Sequence, residues 1–402
     1  MSDMKEPFLN AVPLLEKIEK AGYEAYFVGG SVRDLLIGRE ISDVDIASSA
    51  TPVELKAIFS KTIDVGIEHG TIVILFNGMA YEVTTFRSES EYEDFRRPAG
   101  VEFIRSLQDD LMRRDFTMNA IAMDKQGKLI DPFRGTQAIK ERMIRTVGDP
   151  FERFQEDGLR MMRAIRFHSQ LGFEIEDKTL DALKALAPLL KHISVERKTM
   201  EFEKLLAGTY RKDAIIKLTE TDIYQFLPGL ADLKSEITHM AEYDCGDLSV
   251  EEMWALLLFQ CKWQQKELDA FLKAWKLPVK KIQYIKSLLA WLKIRFAKNW
   301  TKLALYQAGF MIAAGAERLF NILHHQEANL NLEHLQKSYE SLPIKKLTDL
   351  EINGGDLQEW FQKKPGPWIK EKLKAAEAAV INQEIENKKE ILREWLSGCN
   401  QN

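Results

Sequence analysis

Apolar residues recur at helical spacing at the start of the chain, where Phe8, Val12, Leu15 and Ile18 predict an amphipathic helix. The texture changes at Tyr26. Short β-type runs at Tyr26–Val28, Val44–Ile46, Thr71–Phe76, Tyr81–Thr85 and Ile121–Met123 predict strands. Asn77-Gly78 between two of them is a hairpin signal, because both residues tolerate the positive φ that a tight turn requires. Helices are predicted at Val32–Ile37 and Pro52–Phe59. After Pro150 the strand pattern nearly disappears, and helical patterns rich in Leu, Lys, Glu and Ala run on, the last helix starting just after Pro367. The pattern predicts an α+β head followed by an all-α helical remainder, with Asp131-Pro132-Phe133-Arg134-Gly135 as a turn-rich junction.

A chain of 402 residues exceeds what one core holds, so two to four domains are expected. No apolar run approaches the roughly 18–20 residues that span a membrane. The longest, Leu303–Ala316, is short and contains Gln307. The N-terminal residues carry no signal-peptide core, which makes the cytoplasm the expected compartment and leaves no membrane partner. Cys245, Cys261 and Cys399 lie far apart and read as free thiols. A net charge of −5 argues against a strongly basic nucleic-acid binder, but the charge is sorted by region. Lys and Arg recur from Lys273 to Lys302, with Trp275, Tyr284, Trp291 and Trp300 interleaved and no acidic residue between Phe271 and Ala316. Taken alone this is a helix pair with a solvated basic face; beside a nucleotide site it becomes a candidate surface for RNA phosphates, as does Lys363–Lys374.

The chemistry begins at Gly29-Gly30-Ser31-Val32-Arg33-Asp34, followed by Asp43-Val44-Asp45. Side chains two apart in an extended segment share a face. Two hard oxygen ligands on one face, beside a glycine turn that lets backbone approach a phosphate, suit Mg²⁺-nucleotide chemistry. Asp43 and Asp45 are therefore the candidate metal ligands and catalytic pair, and Gly30 and Arg33 the candidate phosphate contacts. Glu82 is either a third carboxylate across the sheet or a solvent-facing strand residue. No Walker P-loop occurs. In Arg113-Arg114-Asp115-Phe116-Thr117-Met118-Asn119-Ala120, Arg114 is a candidate phosphate ligand, while Asp115 and Asn119 either sense a ribose hydroxyl or brace the loop.

A third cluster runs from Glu156 to Phe167. Read as one helix, it makes Asp157 and Arg160 neighbours at i and i+3. A plain salt bridge is the ordinary reading of such a pair. A carboxylate beside a guanidinium also matches the Watson–Crick edge of cytosine or adenine, an amino donor beside a ring-nitrogen acceptor. It opposes uracil and guanine, and each unsatisfied desolvated group costs about 1–3 kcal/mol. Arg163 and Arg166 follow at steps that drift around the helix, placed to reach phosphates or cap a base pocket.

Together these clusters resemble the class II tRNA nucleotidyltransferases: the bacterial CCA-adding enzymes and their relatives, the bacterial poly(A) polymerases. The matching pieces are Gly29-Gly30-x-Val32-Arg33-Asp34, Asp43-x-Asp45, Arg113-Arg114-Asp115-Phe116-Thr117-x-Asn119-Ala120, Glu156-Asp157-x-x-Arg160 and Arg163-Ala164-x-Arg166-Phe167. Glu351-Ile352-x-Gly354-x-Asp356-Leu357 and Pro365-Gly366-Pro367-Trp368 resemble the Gram-positive branch. The resemblance implies a polymerase-β-like nucleotidyltransferase head over residues 1–148, a neck that recognises the base over 149–208, a body over 209–320 and a tail over 321–402, both for RNA. It implies addition of C, C and A to the 3′ end of tRNA without a template, from CTP and ATP, with Mg²⁺ on Asp43 and Asp45. It assigns Gly30, Arg33, Arg114, Asp157, Arg160, Arg163 and Arg166 to the incoming nucleotide, and the tRNA acceptor arm to the helical domains.

Some members of that family add only CC, only A, or poly(A). The segment Arg87–Val101 looks full length, which favours complete CCA addition, although Phe95 stands where many relatives have glycine. No His-Asp dipeptide occurs, so no HD phosphohydrolase domain is expected. The alternatives are a poly(A) polymerase, a partial CC or A adder, and a non-catalytic RNA-binding protein, the last disfavoured by the two clustered, repelling carboxylates. The sequence leaves the oligomeric state open, a homodimer being one assembly.

Overall fold

A computed structural model describes residues 4–89, 92–93, 97–98 and 101–398. The chain forms two compact units, Met1–Thr238 with Ala274–Lys276, and His239–Lys273 with Leu277–Asn402.

The first unit is built on a seven-stranded sheet. Its strands are β1 (Ala25–Val28), β2 (Asp45–Ser48), β3 (Thr62–Gly66), β4 (Thr71–Phe76), β5 (Met79–Thr85), β6 (Ala122–Met123) and β7 (Leu129–Ile130), in the order β7-β6-β1-β2-β5-β4-β3. β2 runs antiparallel to β1 and parallel to β5, with Asp45 paired to Val28 on one side and Glu82 on the other. Alternation divides the side chains between two faces. Phe27, Ile46, Ile72, Ile74 and Val83 pack with helix α1 (Phe8–Lys20) and helix α3 (Pro52–Ile58), Phe8 meeting Phe27 edge-on at 4.9 Å. Val28, Ala47 and Ala122 face a second core with Phe86, Leu111 and Ala120. With both faces covered, the central strands read as apolar runs. Asn77 and Gly78 both take positive φ in the two-residue turn between β4 and β5, as the dipeptide predicts.

The structure departs from the sequence pattern in several places. β3 was not legible, because it is an edge strand whose Ile63 and Val65 are exposed and leave no buried face to pattern. Strand β2 starts at Asp45, so Asp43 lies just outside the ladder. The helix that opens at Pro367, α10 (Pro367–Ile381), is not the last, because Lys389–Gly398 follows and buries Leu392 and Leu396.

Beyond the sheet, the motif Glu156–Phe167 does not form one helix. Helix α5 (Pro150–Glu156) ends where Asp157 is extended, at φ −139° and ψ 103°, and helix α6 (Leu159–Leu171) restarts after Gly158. Helix α7 (Val195–Leu206) packs on α6.

The second unit is helical, with α8 (Val279–Ala297) packed on α9 (Phe310–Leu323). The motif around Asp356 is a capping box: Asn353 and Asp356 exchange hydrogen bonds at the start of the helix Gly354–Phe361. Part of the basic stretch is paired internally, Lys286 with Asp269 at 2.7 Å and Arg295 with Glu317 at 2.6 Å, while Lys280, Lys293 and Lys298 are exposed. Trp275 is core in the first unit, 4.8 Å from Phe202. Among the described residues no helix is long and apolar enough to cross a membrane. Cys245 and Cys261 are free thiols. Phe95 and much of Arg87–Val101 lie outside the described residues.

Gly135, which opens the helix Gly135–Glu141, lies against the Thr117–Asn119 turn. A methyl there would sit 2.1 Å from the Thr117 carbonyl oxygen and 2.6 Å from Ile121. We expect Gly135→Ala to lose about 1–3 kcal/mol of stability by overpacking, read as a lower urea midpoint.

Candidate active site

The site starts where β1 ends. After Val28 the chain turns through Gly29, at φ +73°, into helix α2 (Gly30–Leu36), and the Ser31 hydroxyl donates back to the Val28 carbonyl at 3.0 Å. Two things hold Gly29 to glycine. One is the positive φ; the other is crowding, since a Cβ would lie 3.3 Å from Asp45 Oδ2 and 3.2 Å from Arg114 Nη1. The turn is therefore flanked by an acidic and a basic head group.

Asp45 is accessible at the start of β2, with Glu82 beside it across the parallel ladder. Partial burial raises its pKa, Glu82 and Asp43 raise it further, and Arg114 and Arg33 oppose them. Asp43 is exposed and accepts a hydrogen bond from the Ser42 hydroxyl at 3.2 Å. Among the described residues no three carboxylate, imidazole or thiol groups converge into a closed metal cage. What exists is an open acidic lip whose charges repel one another. That donor set fits a hard divalent cation which takes one or two carboxylates and fills its other positions with water and substrate phosphate.

The basic side is built by the loop that follows helix α4 (Leu107–Met112). Buried Asp110 holds Arg113 at 2.8 Å and Arg114 at 3.2 Å. Burial alone would raise the Asp110 pKa, but these two guanidinium groups lower it on balance. Arg114 Nε is buried with no hydrogen-bond partner among the described residues. Arg33 is buried too. It donates to both oxygens of Asp34 and, at 2.7 Å, to Asn119 Oδ1.

Asp115 ties this loop to the helices beyond the sheet. Its Oδ1 accepts from the Phe116 amide at 2.8 Å and from Asn119 at 3.1 Å, and its Oδ2 from Arg163 Nε at 2.7 Å. Burial works against its charge, but Arg163 and these hydrogen bonds prevail and hold the carboxyl well below its usual range. Asp115 and Asn119 thus brace the loop. Arg166 pairs with buried Glu201 of α7 at 2.6 Å; burial pushes its pKa down to about 10, against the pull of Glu201. Arg33, Arg163 and Arg166 all lie over the Phe167 ring, at 5.2, 5.5 and 3.9 Å from its centroid.

Asp157 and Arg160 are not paired with each other, because the helix breaks between them. Asp157 binds Arg197 of α7, with contacts of 2.7 and 3.3 Å, and accepts the Leu159 amide at 3.0 Å. Arg160 binds the Glu156 carboxylate and donates to the carbonyls of Arg153 at 3.0 Å and Arg113 at 3.1 Å. Asp110, Arg197 and Glu201 were missed by sequence reasoning. Asp110 carried a signal, standing three and four residues before Arg113 and Arg114 on a helical pattern. Arg197 and Glu201 carried none, since Asp157 and Arg166 lie 40 and 35 residues away in sequence.

An acidic lip beside a close-approach glycine turn, faced by arginines and followed by helices, is suited to binding a nucleotide with a divalent cation. Comparisons agree. Residues 25–145 match the Poly A polymerase head domain, residues 172–234 the probable RNA and SrmB-binding site of polymerase A, and residues 248–396 the putative domain 2 of tRNA nucleotidyltransferase. A CCA-adding enzyme of Geobacillus sp. (strain WCH70) is 50% identical over 98% of this chain and 97% of its own length. One from Bacillus cereus (strain B4264) is 46% identical over 98% and 99%. The crystal structure of the Bacillus stearothermophilus CCA-adding enzyme in complex with CTP superposes with a TM-score of 0.91 at 47% identity, over 99% of this chain and 98% of that one. The chain belongs to the family of CCA-adding tRNA nucleotidyltransferases. Membership implies use of a divalent metal ion.

Asp115→Asn should remove the nearest counter-charge of Arg163, leaving Glu201 at 3.8 Å, and cost on the order of 1–3 kcal/mol, measured by denaturant unfolding at neutral pH. Because the folded pKa of Asp115 is depressed, its stabilisation is complete above about pH 4, the unfolded value, and is lost as pH falls toward the folded value. We expect unfolding free energy below about pH 4 to fall less steeply in Asp115→Asn than in the wild type.

Proposed function

We propose that the chain extends the 3′ end of tRNA by C, C and A, taking CTP and ATP in turn, releasing pyrophosphate and using no nucleic-acid template. In each step the 3′-terminal hydroxyl oxygen of the RNA bonds to the α-phosphorus of the nucleotide, and the bond to the bridging α–β oxygen breaks. The observation that carries this reading is the register that sets Asp45 between Val28 and Glu82, against the Gly29 turn. It puts the acidic lip, the close-approach glycine and Arg114 at one point.

In this reading Asp43 and Asp45 hold the cation, which we take to be Mg²⁺. When bound, it would lower the pKa of the attacking hydroxyl and neutralise charge on the pyrophosphate. Gly30 lets backbone approach the triphosphate, and Arg33 and Arg114 offer it positive charge; Arg114 Nε, buried and unpartnered among the described residues, is a donor in want of an acceptor. Asp157 and Arg160 read the base edge. Arg163 and Arg166 form the wall behind them, fixed by Asp115 and Glu201. Specificity in a template-free polymerase has to come from groups whose directions are set before the nucleotide arrives. The many bonds around Asp157 and Arg160 are such a setting. The reaction belongs in the cytoplasm, where tRNA is processed.

The decisive experiment is a product ladder on tRNA lacking its 3′ CCA, with CTP alone, ATP alone and both. Two added nucleotides with CTP and three with the mixture are expected. A long adenosine ladder with ATP alone would favour a poly(A) polymerase, and no extension would reject the enzyme. Asp43→Ala and Asp45→Ala should each abolish extension while the tRNA dissociation constant stays within about threefold of wild type, read by gel shift. Turnover surviving in both would remove the metal assignment. Asp157→Ala should accept UTP in place of CTP in the same extension assay; continued rejection of UTP would count against base reading.

A further inference from the structure

Helix α7 carries two charged side chains one turn apart, Arg197 and Glu201, on the face that meets α6 and the break before it. Glu201 holds Arg166 at 2.6 Å and faces Arg163 at 3.8 Å. Arg197 holds Asp157. The second contact differs in kind, because Asp157 sits at the break between two helices, in extended backbone, where no helical turn fixes its side chain. What fixes it is a set of three hydrogen bonds. Arg197 Nη2 donates to Oδ2 at 2.7 Å, Arg197 Nη1 to Oδ1 at 3.3 Å, and the Leu159 amide to Oδ1 at 3.0 Å. An ionised carboxylate offers about four lone-pair sites. Three are taken, and the fourth is on Oδ2.

We infer that Arg197 is a specificity-determining positioning residue, which clamps Asp157 with both guanidinium nitrogens so that one acceptor of fixed direction meets the nucleobase. The inference rests on the reading of Asp157 and Arg160 as the base-reading pair. Cytosine and adenine bring an amino donor to that acceptor; uracil and guanine bring a carbonyl oxygen to the same place. A carboxylate held still opposes the carbonyl, and the wrong nucleotide meets two desolvated acceptors face to face. A carboxylate released at χ1 and χ2 turns away and lets water intervene, so rejection fails sooner than acceptance. A guanidinium suits the task because its planar fork fixes both oxygens at once, which an ammonium group does not. Glu201, on the same stripe, fixes the arginine wall in the same way, so one face of α7 serves as the backplate of the base pocket.

The test is the ratio of kcat/KM for UTP to that for CTP on tRNA lacking CCA, and for GTP to ATP on tRNA ending in CC. Arg197→Met should raise both ratios by roughly tenfold or more, with Arg197→Lys between it and the wild type. A purely structural role would slow right and wrong nucleotides together and leave the ratios unchanged; that result in folded Arg197→Met overturns the inference. Asp157→Ala, run alongside, separates the two levels. Ratios relaxed in Asp157→Ala but not in Arg197→Met defeat the clamp alone, and ratios unchanged in both defeat base reading and the clamp with it. Should Arg197→Met fail to fold, as judged by its thermal transition, Arg197→Lys decides by the same ratios, wild-type values overturning the clamp.

Discussion

A single buried carboxylate, Asp115, holds the two halves of the site in one frame. Its oxygens bind Arg163 on α6 and, through Asn119, reach Arg33 on α2. The neighbouring carbonyls of Arg113 and Arg114 accept from Arg160 and Arg153 of the helical neck. The loop therefore presents Arg114 to the acidic lip on one side and anchors helices α5 and α6 on the other. A buried charge is costly unless it is paired and hydrogen-bonded, so this arrangement is close to all or nothing. Such a frame keeps the two groups of side chains at a fixed separation.

The arginines of the site are a second consequence of that constraint. Arg33, Arg163 and Arg166 crowd one phenylalanine ring, and their mutual repulsion is contained by Asp34, Asp115 and Glu201. The ring's negative face adds attraction without adding a competing anion. In the reading proposed above, an entering nucleotide meets positive charge whose directions are already fixed, the condition under which electrostatic stabilisation acts with least reorganisation. At the lip the balance is reversed. Glu82 and Asp43 both press on the Asp45 charge, and a bound cation would relieve that repulsion.

Much of this was legible before any coordinates. The Asn77-Gly78 turn, the strands around it and the helix starts at Pro52 and Pro367 follow from local backbone preferences, and the structure has them where the sequence placed them. The edge strand Thr62–Gly66 did not, since burial patterning is absent where neither face is covered. The run from Glu156 to Phe167 reads as one helix because helical propensity continues through it. The interruption at Asp157-Gly158 is sustained by a tertiary bond to Arg197, which no local pattern encodes.

Sequence by itself singled out the residue types that are candidates for the chemistry, because glycine turns, paired acids and the spaced arginines are local in the chain. It settled the family for the same reason, through ordered short motifs. Only the tertiary structure decided how those groups are partnered. Asp45 meets Glu82 through strand register, Asp115 meets Arg163, and Asp157 meets Arg197 instead of Arg160. Each of these contacts joins segments far apart in the chain. Their geometry is set by how sheet and helices pack, and packing distance is a property that residue spacing does not carry.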